Sequence, residues 1–244
     1  MNSLRQLVRV IRSFVFVVGY VLATAFIGIS AGGFLFWLPY KAVSKYILLW
    51  NRFTVWWFCF SCGVKIEVRG AENVSGKPVL ILANHQSAWE TYFLQLYFRP
   101  VTTVLKRELF RIPAFGWALR LMRPIAIDRS SPREALRQMM RLGQARLSDG
   151  MSVLIFPEGS RKLPGAKTKY ARGGAGIAKA AGVDVIPVAH NAGSHWPARS
   201  FTKQPGTIVV SIGKAINTEG KSAAEITSAA QQWIEAELTT IQSY

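Results

Sequence analysis

The chain changes texture at Gly63. Before it lies apolar sequence with few charges: no charged residue occurs from Ser13 to Tyr40, and a second apolar stretch, from Tyr46 to Val64, is interrupted by Asn51 and Arg52. After it, short apolar runs alternate with mixed segments. Residues 64–68 alternate Val, Ile and Val with Lys65 and Glu67, the period-two pattern of a half-buried strand. The runs 79–83, 101–105, 124–127, 152–156, 183–189 and 207–212 read as further strands, several of them continuously apolar. Between them, 91–98 fits a helix, and Pro132 with Ser131 as its cap opens another that runs to Leu147. Residues 173–181 form a small-residue helix able to pack close to a neighbour, and 223–241 a closing helix. The alternation predicts one α/β domain over 63–244, a central largely parallel or mixed sheet flanked by helices. Residues 1–62 precede it as a pair of membrane-associating helices.

The twenty-eight uncharged residues from Ser13 to Tyr40 would reach ~42 Å as a helix, against a hydrocarbon core of about 30 Å. A secretory signal fits less well, because the run is too long and no clear small-residue cleavage site ends it. The Trp and Phe density of the second stretch suits a membrane interface. Arg5, Arg9 and Arg12 lie before the first segment, and Lys41, Lys45 and Arg52 lie after it. The flanking charge therefore gives no orientation, and a helical pair set mainly in one leaflet fits it at least as well as a simple span.

Charge narrows the partners. Thirty Lys and Arg against thirteen Asp and Glu give a formal +17, which points to an anionic membrane surface, a phosphorylated substrate or nucleic acid. Between Arg99 and Arg172 sixteen basic residues face five acidic ones. Arg133, Arg137 and Arg141 share one helical face, an arrangement suited to anionic lipid head groups. Cys59 and Cys62 make a single C-x2-C with no second pair to complete a zinc site, and read as two buried thiols.

The chemistry-bearing residues follow the strands. His85 comes just after the run 79–83, at the strand end where open α/β sheets bind ligands, with Glu90 five residues on. His85 is a base candidate and Glu90 a candidate to orient its ring. Residues five apart on a regular helix diverge by about 140°, so contact between them requires irregular backbone with the helix starting near Ser87 or Ala88. The alternative is a helix N-terminus with Glu90 on the dipole and His85 merely exposed. Lys106 and Arg107 follow the next strand, either as phosphate ligands or as a solvated basic turn. Pro157, Glu158, Gly159, Ser160 and Arg161 follow 152–156. This turn can face an anion with backbone N–H groups while Arg161 grips phosphate, or Glu158 can simply pair with Arg161. His190 and Asn191 end a later strand.

As a set these residues resemble the glycerolipid acyltransferase family, which includes the 1-acylglycerol-3-phosphate acyltransferases. The likeness covers roughly 64–215. The family's N-H-x4-D block is matched by Asn84, His85 and Glu90, and its K-x-E-L-F-x-x-P-x-x-G block by Lys106, Glu108, Leu109, Phe110, Pro113 and Gly116. Its F-P-E-G-[TS]-R block is matched from Phe156 to Arg161, and its strand-end proline by Ile186-Pro187-Val188. There are two departures: Glu90 stands where Asp is usual, and Lys162 where Ser is common.

The resemblance implies transfer of an acyl chain from acyl-CoA or acyl-acyl carrier protein to the sn-2 hydroxyl of 1-acylglycerol 3-phosphate, giving phosphatidic acid. His85 would be the base and Glu90 its orienting carboxylate, with Lys106, Arg107, Glu158, Gly159, Ser160 and Arg161 around the phosphate. No metal, separate cofactor or nucleic acid is implied. The setting would be the cytoplasmic membrane, with the catalytic domain on its cytoplasmic face and membrane lipids and lysophosphatidic acid as partners. A different acceptor (glycerol 3-phosphate, another lysophospholipid or a lyso-ornithine lipid) keeps the same chemistry. A non-catalytic basic membrane- or nucleic-acid-binding protein would explain the charge but not the His85–Glu90 pair.

Overall fold

The computed structural model describes residues 2–33, 35–128 and 130–241; residue 34 of the uncharged run and Arg129 of the basic segment lie outside them. Helix α1 (Asn2–Gly33) and helix α2 (Tyr40–Cys62) form the N-terminal pair. The uncharged run is thus not one helix. It breaks ahead of Pro39, which leads into α2 and disfavours helical backbone in the residue before it. Gly63, at φ 69°, ends α2 in the left-handed region and donates its N–H to Cys59. Cys59 and Cys62 are free thiols, Cys62 buried and Cys59 half-buried.

Both helices are fastened to the domain. The Trp57 indole donates to the Phe16 carbonyl at 3.1 Å, and Phe16 packs edge-on against Phe58 and Trp196. Lys203 N–H donates to Ser13 Oγ at 2.8 Å. Farther along α1, Gly28 and Gly32 abut Ala114 and Trp117. The opposite side of α1 is bare and apolar, with Phe14, Leu22, Phe26 and Ile29 each at least 60% exposed.

The domain continues with β1 (Val64–Arg69), β2 (Leu80–Ala83), α3 (Trp89–Tyr97), β3 (Val101–Lys106), α4 (Phe115–Leu121) and β4 (Ile125–Ile127). It is completed by α5 (Pro132–Ser148), β5 (Ser152–Ile155), α6 (Gly173–Ala181), β6 (Val185–His190), α7 (Ala192–His195), β7 (Gly206–Ile212) and α8 (Ala223–Ile241). The strands form one sheet in the order β1-β7-β6-β2-β5-β3-β4. All neighbours are parallel except β6 and β7. The sheet is therefore mixed, as the alternation of strands and helices predicts.

Central strand β2 explains the layering. All four of its residues are fully buried, and successive side chains point to opposite faces. Ile81 and Ala83 join the core under α2 and α3, and Leu80 and Leu82 the core under α5, α6 and α8. Such a strand carries no polar side, which is why its sequence runs apolar without alternation. The small residues of α6 let it approach: a Cβ on Gly174 would stand 2.9 Å from Leu82. The five mutually parallel strands all end on one edge of the sheet, and the chemistry-bearing loops leave from there.

Gly174→Val is expected to push α6 off β2 and to cost about 1–3 kcal/mol, read as a lower midpoint in denaturant unfolding.

Candidate active site

The backbone from Asn84 to Ala88 is neither strand nor helix, and α3 begins at Trp89. Ser87 Oγ takes the Trp89 N–H at 3.1 Å, a local turn that leads into the helix at Ala88. Glu90, in that first turn, folds its carboxylate back over the loop. Its Oε1 lies 2.8 Å from His85 Nδ1 and also accepts the N–H groups of Gln86 at 3.0 Å and Ser87 at 2.8 Å. One oxygen thus makes the contact with His85, which is not merely exposed, and holds the loop ahead of α3. Glu90 is wholly buried and its Oε2 has no partner among the described residues. Burial works against the charged carboxylate, but the His190 and His85 rings and the Ser87 N–H outweigh it, and its pKa lies below the ordinary value.

A carboxylate at Nδ1 makes that nitrogen the protonated one and leaves the lone pair on Nε2. The ring lies flat on Phe156, 4.2 Å between centroids and 14° between planes. The peptide carrying it is gripped from two sides by the loop after β5. Glu158 Oε1 accepts the His85 N–H at 3.2 Å, and Lys162 N–H donates to the His85 carbonyl at 2.7 Å. Behind it, Asn84 exchanges hydrogen bonds of 2.9 Å with the His190 backbone, and His190 Nε2 lies 2.8 Å from the Asn84 carbonyl.

A cavity of about 1350 Å³ opens in front of His85. Lys106, Gly159, Ser160 and Arg161 also line it, and so do Tyr20 and Thr24 of α1. Arg107 is exposed at the start of the turn 107–111 and does not border the cavity. Glu158 does not border it either: its carboxylate turns inward to the His85 N–H, and no ion pair joins it to Arg161 among the described residues. Tyr20 and Tyr92 share a 2.7 Å hydrogen bond between their hydroxyls, within electrostatic reach of Arg161. Neither tyrosine stands out in sequence, since both sit inside apolar aromatic runs. His190 does stand out at its strand end, but nothing local links it to Asn84.

The sequence pattern of the family described as Acyltransferase matches residues 65–191. A 1-acyl-sn-glycerol-3-phosphate acyltransferase of Pseudomonas aeruginosa is 47% identical over 212 residues, 84% of this chain and 82% of that protein. The chain belongs to the acyltransferase family. A second relative of this acyltransferase, a 1-acyl-sn-glycerol-3-phosphate acyltransferase of Chlamydomonas reinhardtii, is 32% identical over 75% of the chain and 56% of its own length. The crystal structure of a 1-acyl-sn-glycerophosphate acyltransferase from Thermotoga maritima shares the fold, with a TM-score of 0.79 at 22% identity over 100% of this chain and 99% of that one.

The candidate site contains a second carboxyl with unusual properties. Glu158 is pushed up to about 7, chiefly by burial, with Glu90 adding to the rise while the His85 N–H and Lys162 oppose it. Its Oε2 is buried and unpartnered among the described residues. An unfolded glutamate titrates at about 4.3. Between there and about 7 the folded protein holds the proton more tightly. This group's stabilising contribution is therefore present at the acid end of that window and is lost as pH rises through about 7. Glu158→Gln is expected to flatten that part of the pH–stability curve, measured by denaturant unfolding across the window.

At the pair itself, Glu90→Gln keeps the hydrogen-bond acceptor and loses the charge. It is expected to lower kcat by about a hundredfold or more, and Glu90→Asp by less; steady-state kinetics of the two variants give the order.

Proposed function

We propose that this acyltransferase moves a fatty acyl chain from a thioester, on coenzyme A or acyl carrier protein, to the sn-2 hydroxyl of 1-acylglycerol 3-phosphate. The product is phosphatidic acid. One observation carries the reading: His85, backed by the buried Glu90, opens with Arg161 and Lys106 into a single, largely apolar cavity. A phosphate-free acceptor would leave Arg161 and Lys106 without an anion in that cavity. The activity in the name of the Pseudomonas aeruginosa relative agrees with it over most of both chains.

In this mechanism an alcohol, a poor nucleophile at neutral pH, gives its proton to His85 Nε2 as its oxygen attacks the thioester carbonyl. Glu90 Oε1 holds the ring by Nδ1–H and stabilises the imidazolium that forms. The tetrahedral intermediate then expels the thiolate, which takes the proton back and leaves as the thiol. Little acid help is needed, because a thiol pKa is about 8.5. Arg161 and Lys106 bind the acceptor phosphate from the cavity wall. Glu158 and Lys162 keep the His85 peptide in place.

The acceptor is a lipid, and the helical pair delivers the site to it. Residues 3–33 form a helix long and apolar enough, by length and composition, to cross a membrane. Yet α1 contacts the domain from Ser13 to Gly32, over a rise of about 29 Å. A helix that touches the domain near both ends of that length fits a pair laid into the near leaflet, with its bare face among acyl chains. Arg133, Arg137 and Arg141 of α5, all exposed, meet anionic head groups. The cytoplasmic membrane, with the domain on the cytoplasmic side, gives access to either thioester donor.

Purified protein given lysophosphatidate and an acyl thioester is expected to form phosphatidate, and His85→Ala to abolish this while remaining folded and membrane-bound. Arg161→Ala is expected to raise KM for lysophosphatidate by about tenfold to a hundredfold, with a much smaller change for the thioester. Equal effects on both substrates would remove the phosphate role.

A further inference from the structure

From Ser13 onward helix α1 carries four hydroxyl side chains, and three of them turn back onto the helix itself. Ser13, Thr24 and Ser30 donate to the carbonyls of Arg9, Tyr20 and Phe26, each four residues back, at 2.6 to 2.7 Å. Tyr20 behaves differently. Its hydroxyl leaves the helix and meets that of Tyr92, on α3, at 2.7 Å. Both tyrosines line the cavity in front of His85. Tyr92 is the more enclosed of the two, 6% exposed and packed against the rings of Trp50 and Trp196, whereas Tyr20 is half-buried.

Two phenols bring two protons. Both stay on at pH 7, because an ordinary tyrosine titrates at about 10 and burial pushes Tyr92 higher still. The bond between the hydroxyls uses one proton. The other has no carbonyl or carboxylate to go to among the described residues, only the Thr24 hydroxyl beside it. With Tyr92 enclosed, the proton open to a ligand is that of Tyr20. A hydroxyl that already accepts a hydrogen bond is a stronger donor. No Asp or Glu lines the cavity among the described residues, and Arg161 lies within electrostatic reach of both hydroxyls. A donor so placed suits an anion held at Arg161.

We propose that the Tyr20 hydroxyl, backed by Tyr92, donates to the phosphate of the acceptor and makes α1 part of head-group recognition. The inference rests on the acyl-transfer reading of the site. Arg161 and Lys106 supply charge, which attracts any anion. A phenol placed by a second phenol adds a directed bond, which an oxyanion can take only in one position. The dyad also stands at a suitable distance. Tyr92 follows Ala88, which lines the cavity next to His85, by one turn of α3, or about 6 Å. That step matches a glycerol phosphate whose sn-2 oxygen lies at His85. Because α1 turns its bare face to lipid, a head group moving inward to His85 meets the docked side of the same helix.

The test compares acceptors with and without a phosphate. Tyr20→Phe keeps the ring and removes only the hydroxyl. It is expected to raise KM for lysophosphatidate by about tenfold, with kcat and KM for the thioester nearly unchanged. Tyr92→Phe leaves the Tyr20 hydroxyl in place without its support, and is expected to raise the same KM by about threefold. In the His85→Ala protein, where nothing turns over, Tyr20→Phe is expected to weaken lysophosphatidate binding by about tenfold. Binding of 1-acylglycerol, which has no phosphate, is expected to stay the same; titration calorimetry in detergent reads both. An unchanged KM for lysophosphatidate in Tyr20→Phe overturns the proposal. So does an equal loss of 1-acylglycerol binding, or a fall in kcat at constant KM, which a purely structural role would give. A parent protein that acylates no lysolipid overturns the acyl-transfer reading, and the binding measurements then decide the phosphate contact by themselves.

Discussion

Much of this structure depends on a single carboxylate oxygen. Glu90 Oε1 accepts from the His85 ring and from two backbone N–H groups of the loop before α3. The two backbone donors belong to Gln86 and Ser87, just ahead of the helix, and satisfying them fixes the loop. The ring is then oriented by the same atom that shapes the backbone carrying it. The placement of the His85 ring is therefore a by-product of how the loop ahead of α3 is held. The arrangement also leaves Oε2 buried and unpartnered, a cost the site carries with every bond directed to the other oxygen.

The sheet supplies the second constraint. Five parallel strands end on one edge, so loops distant in sequence converge there without any contact between them being local. The loop after β5 reaches across 73 residues to accept the His85 N–H, and the end of β6 reaches across 106 to Asn84. Continuous burial of β2 on both faces anchors this convergence. Large displacement of the His85 loop would disturb two cores at once, which is how a short loop is kept in one conformation.

The sequence made the strand order of events legible and the cross-chain contacts illegible. With five residues between them, contact of His85 and Glu90 requires non-helical backbone and a helix starting near Ser87 or Ala88, and α3 begins at Trp89. Period-two and continuous apolar runs locate all seven strands to within two residues. Helices α4 and α7 escape such reading because they are short, and the uncharged run conceals a break marked by Gly32-Gly33 and Pro39. At the site, Glu158 offered two local readings, a phosphate turn or a pair with Arg161, and its carboxylate turns to His85 instead. No periodicity reports a bond across 73 positions. Tyr92 is silent for the same reason: its partner Tyr20 is 72 residues away, in what reads as a membrane helix.

Tyr20 and Thr24 have a consequence of another kind. They belong to α1, yet they form part of the cavity wall, so the apolar helix and the cavity in front of His85 are made of one piece. Removing residues 1–33 would not release a soluble catalyst. It would strip one side from the cavity, uncover the ring of Trp196 and leave the Lys203 N–H without Ser13. A truncation made only to shed the apolar helix would thus rebuild the space in front of His85 as well, because the same residues serve both.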